Sequence, residues 1–215
     1  MNPTGHRSCL GSVFLGTIAF TAVSLAGFSV WAFAGGWFYR NVGEAGLYAV
    51  TTVVFIGLAG LLMHPLLFGP NRLARFYAAF VPAFMAYAVV WCACWFALGF
   101  GDGEWLGSFL GCTAFAFVLG KMLGSTERIL NVILLLFAAH SAGYFAGGIV
   151  YGALRDPPEL LGGLSRQQFS LLARMLWGLF YGLGFGVGIG FAFHQFQIHK
   201  QVASAVLPEP AKITQ

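Results

Sequence analysis

Charged side chains are scarce in this chain of 215 residues. Asp, Glu, Lys and Arg together make up 8% of the sequence, whereas 59% of the residues are hydrophobic and the mean hydropathy is +0.80. A soluble domain carries about 25% charged residues. So few charges cannot cover a water-facing surface, which excludes an ordinary soluble domain and predicts an integral membrane protein.

The motifs of several enzyme and metal-binding classes are also missing. The four cysteines show neither the Cys-x-x-Cys redox spacing nor the paired spacing of a zinc site. The alternating glycines from Gly182 to Gly190 do not form a dinucleotide fingerprint, because Val187, Ile189 and Phe191 stand where its third glycine is required. No complete catalytic set is found, so we predict a protein that is not an enzyme and has no metal site. The basic residues are scattered between apolar blocks, which argues against nucleic acid as a partner.

Apolar stretches long enough to cross a bilayer occur six times. A helix needs about 20 apolar residues to span the hydrocarbon core. The first stretch exceeds the apolar region of a signal peptide, so we expect it to be an uncleaved span. The sequence therefore predicts an all-α bundle of six transmembrane helices, forming one domain over residues 1–194, with a tail over 195–215. The predicted spans are 10–36, 45–68, 76–100, 105–124, 129–152 and 170–193.

The distribution of Lys and Arg predicts the orientation of this bundle. If the N-terminus is cytoplasmic, seven of the eleven basic residues lie on the cytoplasmic side, and all six tryptophans fall in the outer half of the spans. We therefore expect both termini and the tail to be cytoplasmic, in a multi-pass protein of the plasma (inner) membrane. The seven residues are Arg7, Arg72, Arg75, Lys121, Arg128, Lys200 and Lys212.

Three histidines are candidates for buried polar or ligand-binding positions. His140 lies near the middle of the fifth span, where an ionisable side chain faces the bundle interior or a cavity. It can act as a proton relay, a metal or haem ligand or a base, or it can be a neutral imidazole that donates one hydrogen bond to a neighbouring helix. His64 and His194 end the second and sixth spans at similar depth, as a bis-histidine haem requires. The alternative for both is a position at the membrane interface.

The segment from Ala139 to Gly147 reads Ala-His-x-x-Gly-x-x-x-Gly and resembles the histidine helix of rhomboid-type intramembrane proteases. Such a protease also needs a nucleophilic serine in a Gly-x-Ser-Gly context on an earlier helix. Neither Ser108 nor Ser125 lies in that context. Without a nucleophile the histidine has nothing to activate, which excludes the protease function.

Arg174 lies about one turn inside the sixth span. Its long side chain can reach the outer surface while its stem stays among apolar groups. The alternative is an ion pair with Asp156 or Glu159, or a contact with an anionic ligand.

Glycines recur every four residues along the sixth span. This small-x-x-x-small pattern lets two helix backbones approach closely, and the fifth span has a similar face. We therefore predict that the fifth and sixth spans pack tightly against each other. The alternative is a groove for a flat apolar ligand such as a quinone or a pigment, bounded by Phe180, Phe185 and Phe191. The glycines are Gly178, Gly182, Gly186 and Gly190 in the sixth span, and Gly143 and Gly147 in the fifth.

These observations predict a non-catalytic subunit, or an accessory or scaffolding component, of a larger membrane complex. Its expected partners are the lipid bilayer and other membrane subunits or a second copy of the chain. The first alternative is a small transporter or channel whose path is lined by His140 and Arg174; weak similarity between the starts of the third and sixth spans would fit an inverted repeat. The second alternative is a haem-, quinone- or pigment-binding protein.

Overall fold

The computed structural model describes residues 7–155 and 163–206, with side chains described up to residue 198. Within these residues the chain forms helices and connecting turns, without strands. The elements are α1 (Cys9–Ser29), a π-helical turn (Val30–Ala34), α2 (Gly35–Asn41), α3 (Glu44–Met63), a 3₁₀ turn (His64–Leu66), α4 (Arg72–Leu98), α5 (Asp102–Leu123), α6 (Ile129–Arg155) and α7 (Arg166–Val206).

Six helical stretches are long and apolar enough to cross a membrane, which confirms the predicted all-α, six-span integral membrane fold. Large apolar side chains such as Phe14, Val53 and Ile149 point outward and are 67%, 70% and 74% exposed, as lipid-facing residues are. The orientation of the termini stays a prediction. The six stretches are Cys9–Asn41, Glu44–Leu66, Arg72–Leu98, Asp102–Leu123, Ile129–Arg155 and Arg166–Ile198.

The last helix is longer than the sequence predicts. We expected the sixth span to end at residue 193 and a loosely ordered tail to follow, whereas α7 continues to Val206. The hydrogen bonds of Gln197 explain why this polar side chain can be buried in α7 beyond residue 193. Its side-chain amide donates to the carbonyl oxygens of Leu66 at 3.0 Å and Phe193 at 2.8 Å, and its Oε1 accepts the Phe68 N–H at 3.1 Å. Residues 207–215 of the predicted tail lie outside the described part of the chain.

The connection between α4 and α5 consists of only three residues. Gly99 and Gly101 have φ angles of 72° and 82°, which glycine adopts without the steric cost that a side chain brings. The short turn makes α4 and α5 an antiparallel hairpin.

Glycines of α7 lie against α1. A Cβ on Gly186 would come within 2.8 Å of the Thr17 Cα, and a Cβ on Gly190 would lie 2.8 Å from the Val13 Cα. The Ser24 hydroxyl donates to the Gly178 carbonyl at 2.7 Å across the same interface. The stripe of Gly178, Gly182, Gly186 and Gly190 therefore brings α7 onto α1.

This placement corrects part of the predicted packing. We expected the glycine stripes of the sixth span to lie against the fifth span. The two spans do pack closely, but the four-glycine stripe itself lies against the first span. The fifth span, α6, packs on a second stripe of α7, formed by Gly184 and Gly188: a Cβ on Gly143 would lie 3.0 Å from the Gly184 Cα. Gly147 lies against Trp177: a Cβ added to Gly147 would lie 3.0 Å from the Trp177 Cα. The two stripes lie on different faces of α7, so each can serve a different neighbour.

Aromatic rings, rather than glycines, separate the α4–α5 hairpin from the other helices. Phe76, Phe80 and Phe84 of α4 form a ladder of stacked rings with centroids 5.0 and 5.4 Å apart. Phe76 also stacks on Phe193 of α7, and Phe115 of α5 lies 5.8 Å from Phe185. The α4–α5 hairpin therefore meets the glycine-packed group of α1, α6 and α7 through large rings.

Candidate functional site

His140 is fully buried near the middle of the bundle and is hydrogen-bonded to a neighbouring helix. Its Nε2 lies 2.7 Å from the hydroxyl of Tyr87 on α4, and Tyr181 on α7 donates to the Tyr87 hydroxyl at 3.3 Å. In this arrangement Tyr87 donates to Nε2, so that a neutral imidazole carries its hydrogen on Nδ1. His140, Tyr87 and Tyr181 are called the His140 cluster below; it connects α4, α6 and α7.

Aromatic rings surround the His140 cluster. The Phe185 ring centroid lies 4.9 Å from that of His140, and the Tyr144 ring stacks on the imidazole at 5.9 Å with an interplanar angle of 7°. In such a low-dielectric environment a hydrogen bond is stronger than in water, and an unpaired polar group is more costly. The imidazole thus makes one hydrogen bond to a neighbouring helix, but with Tyr87 as the donor it accepts this bond, whereas we had predicted that it donates one.

A carboxylate in the first turn of α5, that of Glu104, connects to this cluster through Tyr144. Glu104 Oε1 accepts the Tyr144 hydroxyl at 2.9 Å, and Oε2 accepts the Gly101 N–H at 3.2 Å. Trp177 of α7 donates from Nε1 to the Tyr144 carbonyl at 3.1 Å. A row of polar side chains therefore runs from Glu104, in the first turn of α5, through Tyr144 to His140 in the middle of the bundle. Within the described residues Tyr144 contacts the imidazole by ring stacking and not by a hydrogen bond.

Three buried polar atoms beside this row have no hydrogen-bond partner within the described residues: Trp91 Nε1, Ser108 Oγ and His140 Nδ1. The Trp91 ring lies 5.8 Å from the Tyr144 ring. Trp91 Cδ1 would lie 3.2 Å from a Cβ on Gly107, the residue before Ser108. A buried polar atom without a partner costs about 1–3 kcal/mol, and a buried water is the usual partner of such atoms. Three such atoms therefore lie near the α4–α5–α6 interface, beside the Tyr144 ring.

The partners of His140 were not predicted from the sequence, although a signal existed. Tyr87 and Tyr181 fall well inside the predicted third and sixth spans, and a tyrosine hydroxyl at that depth needs a hydrogen-bond partner. A buried histidine and two buried tyrosines are natural partners. Glu104 was not predicted as a member of the site, because the predicted span begins at residue 105 whereas α5 begins at Asp102.

Arg174 binds the π-helical turn of the first span. Its Nη1 donates to the carbonyl oxygens of Trp31 at 3.0 Å and Ala32 at 3.4 Å, and its guanidinium lies 4.9 Å from the Trp31 ring centroid. This is a cation–π contact combined with hydrogen bonds. The predicted alternative partners, Asp156 and Glu159, lie outside the described residues. Trp177 lies between Arg174 and the His140 cluster, because it packs on Trp31 at 5.9 Å and bonds to Tyr144.

The other two candidate histidines do not join the His140 cluster within the described residues. His64 Nδ1 lies 3.1 Å from the carbonyl oxygens of both Gly60 and Leu61 on its own helix. His194 is buried on α7, and its Nδ1 has no partner in the described part of the chain. The paired haem ligation of these two histidines stays a prediction.

The rings that were predicted to border a flat ligand differ in burial. Phe185 is fully buried and packs against Phe20 at 5.3 Å and Tyr87 at 4.8 Å. Phe180 and Phe191 are half-buried. The space around Phe185 is therefore occupied by the protein's own rings.

The described residues contain no group of three or more His, Cys, Asp or Glu side chains that could hold a metal ion. Comparison with protein families, with curated proteins and with solved structures finds no match to this chain. Its function must therefore be argued from its own residues.

Proposed function

We propose that this integral membrane protein is a non-catalytic component of a larger membrane assembly. The observation that supports the proposal is a row of small residues on the outer face of α6. Ala138 and Ala142 are exposed, and Ala146, one turn further, is half-buried. Small residues four apart on a lipid-facing helix allow a second helix to approach closely. An adjacent face of α6 uses Gly143 and Gly147 against α7, and the exposed alanine row remains available to a transmembrane helix of another chain.

Co-purification tests this proposal. A protein solubilised in mild detergent should elute as a complex with a second membrane chain, and Ala142→Leu should release that chain because the larger side chain separates the two helices. Ala93→Leu is the matched control, since Ala93 is an exposed alanine on α4. A single monodisperse monomer for the unsubstituted protein contradicts the proposal. Co-elution of a second copy of the same chain identifies the assembly as a homo-oligomer.

A proton or solute pathway is the second candidate function, and it is favoured by the polar row from Glu104 to His140. The row begins at a carboxylate at the end of the bundle and reaches a histidine whose Nδ1 is unpaired within the described residues. Protons pass between such groups through hydrogen-bonded side chains and water. Beyond the cluster, toward Phe76 and Phe193, the interior is filled by buried aromatic rings, so transport requires these rings to move.

Proton flux into reconstituted vesicles tests this second function. Under an imposed membrane potential, vesicles with the unsubstituted protein should acidify faster than empty vesicles, and Tyr87→Phe and His140→Leu should each remove most of the difference. His64→Gln should leave the flux unchanged, because His64 bonds to its own helix away from the row. Flux equal to that of empty vesicles, or equal loss in all three variants, contradicts the pathway.

A further inference from the structure

A small cleft opens between the start of α4 and the end of α5. Its lining includes apolar side chains from both helices and one cationic side chain, Arg75. The lining residues are Phe68, Arg75, Ala78, Ala79, Met122, Leu123 and Gln197. Because α4 begins and α5 ends here, the cleft lies at the level where the spans leave the hydrocarbon core.

One nitrogen of the Arg75 guanidinium, Nη1, binds backbone carbonyl groups at this cleft. Nη1 donates to the Phe68 carbonyl at 2.7 Å and approaches the Pro70 carbonyl at 3.5 Å. Nε and Nη2 make no hydrogen bond within the described residues, and the side chain is exposed. A guanidinium has five N–H donors in a fork that matches a phosphate group. Arg75 therefore retains donors in a fixed position for an oxyanion.

The charge at this end of the bundle favours an anion. Basic residues begin α4, end α5 and precede α6, and Glu127 is the acidic residue of the same segments. The positive end of the α4 dipole lies at this cleft, and no acidic side chain in its first turn offsets it. The negative end of the α5 dipole lies here as well and is offset by Lys121 in the last turn of α5. Basic pockets between transmembrane helices are typical binding sites of anionic lipid headgroups. The basic residues are Arg72, Arg75, Lys121 and Arg128.

The size of the cleft indicates which part of a ligand enters it. Its volume is about 240 Å³, below the range of about 300–1,000 Å³ that is usual for small-molecule sites. It is large enough for about eight water volumes, which suits a phosphate and the first atoms attached to it. Ala78 and Met122 provide an apolar wall beside Arg75, along which an acyl chain can continue into the bilayer.

We propose that this cleft binds one anionic phospholipid, with the headgroup phosphate on Arg75 and an acyl chain along Ala78 and Met122. Phosphatidylglycerol and phosphatidylcholine with identical chains are the probes, added to the full-length protein in detergent micelles. Native mass spectrometry counts the bound lipids, and the melting temperature measures their effect on stability. Phosphatidylglycerol should bind at least about fivefold more tightly and raise the melting temperature.

Variants then localise the site. Arg75→Gln should weaken phosphatidylglycerol binding about tenfold, because it removes a charge-assisted hydrogen bond. Ala78→Trp should weaken it as well, because the indole fills the cleft while Arg75 keeps its charge. Arg72→Gln is the matched control: it removes the same charge at the same helix end, but Arg72 lines a different surface depression with His64, so binding should be retained.

Four results would overturn the proposal. Equal binding of the two lipids would show that the headgroup charge is not recognised. Retained binding in both Arg75→Gln and Ala78→Trp would place the lipid elsewhere. An equal loss in Arg72→Gln would show that only the total charge of this end matters. A rise in melting temperature with inorganic phosphate alone that equals the rise with phosphatidylglycerol would assign the cleft to free phosphate.

Discussion

Replacing Gly184 by alanine is expected to lower the free energy of unfolding by about 3 kcal/mol. A Cβ at this position would meet the carbonyl oxygen of Ala139 and would lie 2.9 Å from the Gly143 Cα. Both neighbours are backbone atoms of α6, so no side-chain rotation can relieve the contact. The two helices must separate, and they then lose the dispersion contacts that hold helices together in lipid, where the hydrophobic effect between helices is absent.

Gly152→Ala is the matched control for Gly184→Ala. Gly152 is on the same helix pair, but a Cβ there would have no neighbour within 4 Å. Alanine has a higher helix propensity than glycine by about 1 kcal/mol, so this variant should be unchanged or slightly stabilised. Unfolding in mixed micelles with increasing SDS, followed by circular dichroism, measures both. Equal stability of the two variants would show that α6 and α7 are not in close contact at Gly184.

The number and type of the spans could be read from the sequence, because membrane-crossing length is a property of each segment by itself. Six apolar stretches longer than the hydrocarbon core requires leave few alternatives. The end of α7 could not be read in the same way. Gln197 looks like the start of a polar tail, and only its hydrogen bonds to Leu66 and Phe193 show that it belongs to the bundle.

The pairing of helix faces depends on relations between segments, and the sequence left these open. The four-residue spacing from Gly178 to Gly190 correctly indicates a face that another helix approaches, but not which helix. The second stripe, Gly184 and Gly188, lies on a different face of the same helix and contacts α6. A glycine at every fourth residue does not indicate which helix approaches. The assignment to the fifth span was therefore wrong for the stripe from Gly178 to Gly190.

The candidate site was predicted only as far as single residues allow. The depth of His140 in its span indicated a buried imidazole, but its partners come from α4 and α7, at residues 53 and 41 positions away in the chain. Arg174 is similar: its contact is the backbone of a π-helical turn. The sequence offered no motif from which this π-helical turn, or its contact with Arg174, could be predicted.

Replacing Phe185 by alanine is expected to lower the stability about as much as Gly184→Ala does. The Phe185 ring is fully buried and meets the rings of Phe20, Tyr87 and His140 at centroid distances of 5.3, 4.8 and 4.9 Å. Removal of a buried ring costs the lost transfer free energy of the ring plus about 24 cal/mol for each Å³ of cavity that remains, and such substitutions typically cost about 3–5 kcal/mol. We expect a loss of about 3 kcal/mol, measured by unfolding in mixed micelles. Phe96→Ala is the control, since Phe96 is 67% exposed on the outer face of α4.

A small aromatic molecule distinguishes a filled interior from a ligand groove at Phe185. If the protein's own rings fill this space, benzene should occupy the new cavity of Phe185→Ala and raise its melting temperature. The melting temperature of the unsubstituted protein should not change. If Phe185 instead borders a groove for a flat ligand, benzene should stabilise the unsubstituted protein as well. The loss of stability in Phe185→Ala should then be much smaller than the loss of about 3 kcal/mol expected for a buried ring. Because the same ring also packs on His140, loss of stability in Phe185→Ala should be non-additive with Tyr87→Phe. Strict additivity of the two would show that the aromatic core and the His140 cluster are independent.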